Sequence, residues 1–571
     1  MLIIKGIAAS PNIAIGPAFV VEDEEIVINQ LEIPKNKIRM EIQRFKRALE
    51  KTNRDLDRTE HRALKTLGKA HAKLIETHRL ILSDPLITKE VLRRIQSERV
   101  NAEFALSEAL EAVNQAFEKI EDEFFRERRH DVFDVGKRLL SHLMRRGKKP
   151  LSAVEVPSIV VAHNLLPSDT LQLKDARALG FATDLGGKSS HTAILAQSLE
   201  LPAVVGLSDV SQRLKTGDTL IVDGEQGLII LYPTPEVIEK YVQMQAQLQL
   251  QDKALENLKG LEAVTRDGKS IQLMTNLDAP EELKSIAALN TDGIGLFRTE
   301  YLFSNRTTPP SEKEQHEAYF RVFKTMAPKP VVFRTADIGG DRITDLGFEE
   351  HSSESNPFMG LRGIRLFLHY PELFKVQLRA ILKTAPQGDV RILLPMISSI
   401  EELISSKKIL KSTMDELAQE GVPPVKKVEL GIMVEIPSVA MALDTFLDDV
   451  DFISIGTNDL IQYLLAVDRL NENVAYLYDP FHPAVVRTLH QIVETAHSKE
   501  KPVGICGEMP SDPKTTKLLV GLGVDSLSVT PRMFLRIKRN LRSLSFQEAT
   551  KAVKQALLLT DSASIRKLLI T

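Results

Sequence analysis

Apolar positions fall at helical spacing from about Ile33 to Arg146, where Ile38, Ile42, Phe45, Leu49 and Leu56 make one stripe and Leu106, Leu110, Val113 and Phe117 a second. Ser83-Asp84-Pro85 interrupts the pattern at a helix junction, so helical hairpins are expected over residues 22–147. The pattern then changes. Ser158-Ile-Val-Val-Ala162, Ala203-Val-Val205, Thr219-Leu-Ile-Val-Asp223 and Leu228-Ile-Ile-Leu-Tyr232 are short β-branched runs bounded by Gly, Pro and Asp, which reads as strands and turns. The extended segment before residue 22 needs sheet partners, and this sheet is the nearest. Residues 1–21 and 148–232 are therefore expected to form one α/β domain, with the helical block inserted into it.

Pro233-Thr-Pro235 opens a Gln-rich helical stretch that ends at Gly260, with Pro near the first turn and Gly past the end, so residues 233–261 are expected to be a linker helix. Beyond residue 262 eight short apolar runs alternate with helical stretches: they begin at Ile271, Gly293, Val331, Arg391, Leu430, Phe452, Val503 and Ser526. Eight βα units predict a TIM barrel over residues 262–571, and a charged or reactive residue stands at the C-terminal end of most of the runs, where such barrels carry their chemistry. A doubly wound sheet would show a Gly-rich phosphate fingerprint after an early strand, and none is present. The fold class expected is thus multidomain α/β.

Composition narrows the function. With 74 Lys and Arg against 77 Asp and Glu in 571 residues there is no basic field for nucleic acid, so an anionic ligand needs a local site. Cys506 is the single cysteine, which excludes an internal disulfide and a four-cysteine zinc site and fits a reducing compartment. No apolar run approaches the ~20 residues of a membrane-spanning helix. Gly6, Pro11, Asn12 and Gly16 break any helical apolar core at the start of the chain, so no secretion signal is read there and a cytoplasmic protein is expected.

Gly186-Gly-Lys-Ser-Ser-His-Thr192 delivers a histidine to the start of the apolar helical run Ala193-Ile-Leu-Ala-Gln-Ser-Leu199. A phosphoryl group on His191 would meet free backbone N–H groups, the positive end of the helix dipole and nearby hydroxyls. Equally, Ser189 and Ser190 would cap that helix with His191 incidental.

The segment Gly186 to Gly206 resembles the phosphohistidine signature of the phosphoenolpyruvate-using enzymes, which include Enzyme I of the sugar phosphotransferase system, pyruvate phosphate dikinase and phosphoenolpyruvate synthase. The likeness runs on through Arg298-Thr-Glu300, Arg334-Thr-Ala-Asp-Ile-Gly-Gly-Asp341, Asn356-Pro-Phe-Met-Gly-Leu-Arg362, Gly431-Ile-Met-Val-Glu435, Gly456-Thr-Asn-Asp459 and Cys506-Gly-Glu508. Gly6-Ile-Ala-Ala-Ser-Pro11 and Asp131-Val-Phe-Asp-Val-Gly-Lys-Arg-Leu-Leu140 resemble Enzyme I in particular, and the chain has no room for the ATP-binding domain of the other two.

Phosphoenolpyruvate carries a carboxylate and a phosphate, and arginine binds both bidentately. Arg298, Arg334, Arg362 and Arg469 are the candidates, with structural ion pairs the alternative for each. Glu435 and Asp459, after neighbouring strands, are placed to hold Mg²⁺, although Asp459 also suits a helix cap. The resemblance implies that Glu435 and Asp459 are the metal ligands, that Asn458 binds phosphate, that Cys506 protonates the enolate on the way to pyruvate, and that Thr170 orients the imidazole of His191. For Cys506 the alternative is a small buried hydrophobe, and for Thr170 a helix-start hydroxyl.

His78 lies in the helical block, similar to the family's carrier-docking helix, and is a docking candidate. The resemblance further implies that an HPr-like phosphocarrier serving sugar uptake is the partner, that the chain is a homodimer through its barrel, and that the phosphohistidine domain swivels, about a hinge near Pro233 and the helix after it. Two other readings remain open on sequence: a truncated synthase-like enzyme working with a separate nucleotide-binding subunit, and a regulatory protein that senses phosphoenolpyruvate without transfer.

Overall fold

The computed structural model describes residues 1–21, 28–66, 79, 81–82, 85–118, 123–144, 156–165, 177–186, 196, 201–303, 306, 308–339, 354, 356–384, 389–423, 427–469, 471 and 474–570. They divide into two units, Met1–Leu250 and Gln251–Thr571.

In the first unit strands β1 (Leu2–Lys5), β2 (Ile7–Ser10) and β3 (Ile13–Val20) precede the helical block, and β4 (Ser158–Ala162), β5 (Ala178–Thr183), β6 (Ala203–Val205), β7 (Thr219–Asp223) and β8 (Leu228–Leu231) follow it. They join in one sheet ordered β1-β8-β7-β3-β4-β5-β6-β2. The insertion is real: β3 lies parallel to β4, Ala18 opposite Ile159, and antiparallel to β7, Ile13 opposite Asp223. Every residue of β4 is buried because both faces are covered. Ile159 and Val161 pack on one side with Leu220 and Val222, and Val160 and Ala162 on the other with Phe181 and Val205.

The inserted helices are α1 (Ile38–Thr66), α2 (Pro85–Ser97), α3 (Ala102–Glu118) and α4 (Glu123–Met144). Phe45, Leu56, Leu106 and Leu110 of the two sequence stripes lie in their common core with Val91, Ile95 and Leu139, and Ile38, Ile42, Leu49 and Val113 pack against it. Glu41 accepts the Ala102 N–H at 2.7 Å, capping α3, and it pairs with Arg44.

Helix α5 (Pro235–Glu256) crosses the division between the units. Its first turns belong to the sheet's own core: Val237, Ile238, Met244 and Leu248 pack there, Tyr241 donates to Asp223 at 3.3 Å and Gln245 to the Ile13 carbonyl at 2.8 Å.

The second unit is a closed barrel of parallel strands, β9 (Gln272–Leu277), β10 (Ile294–Arg298), β11 (Val331–Arg334), β12 (Asp389–Leu394), β13 (Lys427–Val434), β14 (Phe452–Gly456), β15 (Val503–Cys506) and β16 (Ser526–Val529). β16 closes it on β9, Leu527 opposite Leu273. Side chains alternate: Phe297, Phe333, Ile392, Ile432 and Ile505 face the outer helices, and Leu296, Val332, Leu393, Met433 and Cys506 fill the bore. Outer helices begin where local chemistry starts them, as at Ser311, whose hydroxyl accepts the Glu314 N–H at 3.3 Å while the Glu314 carboxylate takes the Ser311 N–H at 2.9 Å.

Candidate active site

β10 and β11 end in register on Arg298 and Arg334 at the C-terminal mouth of the barrel. Each guanidinium in the mouth holds a carboxylate. Arg298 Nη1 lies 3.0 Å from Asp278, and Arg469 Nη1 3.3 Å from Glu508. Arg334, almost buried, donates from Nη2 to Glu300 at 2.9 Å, with Nη1 3.8 Å from Asp337 and 3.8 Å from the Met433 sulfur. Arg362 grips Asp337 with two hydrogen bonds, Nε at 3.0 Å and Nη2 at 2.6 Å, and reaches Asp459 at 3.2 Å and the Tyr463 hydroxyl at 3.3 Å. Burial works against the charge on Arg334 and Arg362, but the facing carboxylates outweigh it and raise both above the usual arginine value, so both stay cationic. Arg469 Nε is buried without a hydrogen-bond partner among the described residues.

Glu435 follows β13, and Asp459 stands in the first turn of α6 (Thr457–Leu465), which begins directly after β14. The structure adds a third carboxylate, Asp337, three residues beyond Arg334: ligand oxygens of Asp337, Glu435 and Asp459 lie within 4.8 Å of one another. Asp337 was not among the residues expected from sequence to hold a metal. Glu435 is 1% exposed and accepts the Met396 N–H at 2.7 Å, from a residue held at φ +61°. Burial, then the charges of Asp459 and Asp337, push the Glu435 carboxyl well above the usual range, with Arg334 pulling the other way. Buried carboxylates that repel one another, offering oxygen alone, fit a hard divalent cation. Glu300 was also missed; it links Arg334 to the Asp337 N–H at 2.7 Å.

Asn458 follows Thr457 at the start of α6 and accepts the Glu508 N–H at 2.8 Å, which ties α6 to the turn after β15. That turn requires Gly507, at φ +102°: a Cβ there would stand 2.6 Å from Thr457 Oγ1 and 2.7 Å from Asn458 Oδ1. Cys506, at the end of β15, is 1% exposed in the bore. Ser454 donates to its sulfur at 3.5 Å and the thiol donates to the Ile455 carbonyl at 3.5 Å. Burial pushes this thiol up; Ser454, Arg334 and Arg298 oppose that without cancelling it. A neutral thiol is suited to giving a proton, not to acting as a nucleophile.

Thr170, His191 and His78 lie outside the described residues. β5 runs to Thr183, three residues before Gly186 opens the His191 segment, and the buried Asp184 between them accepts the Ser211 N–H at 3.0 Å and faces His163 at 3.2 Å. No helix among the described residues is long and apolar enough to cross a membrane.

Three family models match the chain: PEP-utilising enzyme, N-terminal, over residues 5–128; the mobile domain over 154–227; and the PEP-binding domain over 252–546. A phosphoenolpyruvate-protein phosphotransferase of Geobacillus stearothermophilus is 40% identical over 560 residues, which is 98% of this chain and 96% of that one. One from Staphylococcus carnosus (strain TM300) is 38% identical over 562 residues, 98% of this chain and 97% of that one. Among solved structures, a solution structure of an Enzyme I protein is 41% identical over 43% of this chain and 99% of its own, with a TM-score of 0.39.

Proposed function

Because the chain belongs to the PEP-utilising enzymes and is a phosphoenolpyruvate-dependent protein phosphotransferase, we propose that it moves a phosphoryl group from phosphoenolpyruvate onto His191, releases pyruvate, and hands the group to a histidine on an HPr-like carrier for sugar uptake. The observation that carries this reading is the mouth of the barrel, where the Arg334 and Arg362 guanidinium groups stand against a buried trio of carboxylates and where β15 ends on Cys506, a thiol that burial pushes up.

Arg298, Arg334, Arg362 and Arg469 take the carboxylate and phosphate of the substrate, which competes with the carboxylates they now hold, and Asn458 offers its amide to the phosphate. Asp337, Glu435 and Asp459 would hold Mg²⁺, which when bound would supply positive charge to offset that of the transferring group. The His191 Nε2 attacks phosphorus in line while Thr170 holds the other ring nitrogen. Cys506 donates its proton to the methylene carbon of the enolate and completes pyruvate. The barrel arginines lie in the second unit, whose core is separate from that of the first, so we infer that passing the group to a carrier on the helical block, where His78 is a docking candidate, involves a swivel of the phosphohistidine domain. The hinge we propose lies near Pro233 and the helix after it; because Tyr241 and Gln245 tie the start of α5 to the sheet, the later part of that helix is favoured as the flexible stretch.

Intact mass after incubation with phosphoenolpyruvate and Mg²⁺, without any carrier, tests the reading. One acid-labile phosphoryl group on the native protein and none on His191→Ala is expected. An unmodified protein that still binds phosphoenolpyruvate would overturn it in favour of a sensor.

A further inference from the structure

Below Cys506 the bore is lined by small residues as well as by large apolar ones such as Met274, Val332 and Phe452. Gly295, Gly504, Ser454, Ser526 and Ser528 line a cavity of about 190 Å³ that opens at the N-terminal ends of the strands, opposite the arginine-lined mouth. A Cβ on Gly295 would come within 2.7 Å of Ser528 Oγ, and one on Gly504 within 2.9 Å of Ser526 Oγ, so the glycines keep this space open. At its outer end Asp525 accepts from Val503 N at 2.8 Å and faces the half-exposed His497 at 2.9 Å. A cavity of this size with hydroxyls and carboxylates on its wall has room for a chain of water molecules.

Ser454 is the link between that space and the thiol. Its side chain lines the cavity, and its hydroxyl donates to Cys506 Sγ at 3.5 Å. Among the described residues the other hydrogen-bond partner of the sulfur, the Ile455 carbonyl, accepts only; Leu296, Val332, Leu393 and Met433 pack with Cys506 in the bore, and Arg334, Arg298 and Glu435 act on it through their charges from the mouth.

We propose that Ser454 relays a solvent proton from the N-terminal cavity to Cys506 after each turnover, so that the thiol is recharged from the face of the barrel opposite the substrate. The proposal rests on the phosphotransferase reading. When the enolate is protonated, the S–H bond breaks, the methyl C–H bond of pyruvate forms and a thiolate remains. The Ser454 hydroxyl then passes its proton to sulfur while its oxygen takes one from cavity water, and one solvent proton enters for each pyruvate made. Ser454 is thus a positioning residue for the proton, acting through Cys506.

Label exchange between phosphoenolpyruvate and pyruvate in D₂O tests this without a carrier, with mass spectrometry reading both the label and the deuterium in the pyruvate methyl group. Ser454→Thr keeps the hydroxyl and Ser454→Val replaces it with a methyl in the same shape. Native protein and Ser454→Thr are expected to take up deuterium in nearly every exchange event; Ser454→Val is expected to take up several-fold less per event, because the same proton returns to carbon. A merely structural role would slow label exchange and leave that ratio unchanged. Ser454→Ala, smaller than the native side chain, gives the same reading if valine is not accommodated. Exchange with a native deuterium ratio in the variants lacking the hydroxyl would overturn the relay alone. A native protein that exchanges no label would overturn the phosphotransferase reading and the relay together.

Discussion

Asp337 serves two groups at once, since its carboxylate forms two hydrogen bonds with Arg362 and lies in the trio with Glu435 and Asp459. Neutralising it removes charge from the trio and loosens the arginine that also reaches Asp459. For Asp337→Asn the Mg²⁺ concentration that half-saturates His191 phosphorylation is expected to rise by roughly 10–100-fold; a metal requirement that stays native would remove Asp337 from the ligand set. Individual residues were unevenly legible in the sequence. Arg298, Arg334 and Cys506 could be placed at strand ends because each closes an apolar run, and Glu435 and Asp459 because each follows one. Asp337 and Glu300 sit within quoted motifs, but their roles depend on how the chain turns back after β10 and β11, and a one-dimensional pattern carries no trace of that turn. The carboxylate partners of the arginines were invisible for the same reason.

At the scale of elements, β14, α6 and the turn after β15 act together. Gly507 lets the turn pass against Thr457 and Asn458, and Thr457 in return donates to the Cys506 carbonyl at 2.8 Å. In Gly507→Ala a left-handed backbone and a Cβ in contact distance would have to be relieved, at about 1–3 kcal/mol, and relief means moving the first turn of α6. The expected result is a lower melting temperature together with a raised KM for phosphoenolpyruvate; a change in melting alone would uncouple the turn from the site. All eight barrel strands were readable as short runs dominated by apolar residues, because burial on both faces keeps most positions apolar, even where β14 and β16 turn a serine into the bore. Their closure, β16 onto β9, and the register of each pair were not, since partners far apart in the chain are chosen by twist and packing.

The whole molecule has two units, each with buried clusters of its own, divided within α5. Calorimetry of the full chain should show two transitions, and Mg²⁺ with phosphoenolpyruvate should move the barrel's alone. Saturation at about 100 times Kd would add about 2.7 kcal/mol, a shift of a few degrees. Equal shifts in both transitions would show that the ligand is sensed by the first unit as well. The insertion has a further consequence, which belongs to biosynthesis. Pro17 of β3 pairs with Thr219, so the first strands leave the ribosome roughly 200 residues before that partner, a delay on the order of 10–40 s at typical elongation rates. Helices α1 to α4, whose core is local, can fold in that interval. The three N-terminal strands cannot, and they are the segment of the nascent chain with most need of a chaperone.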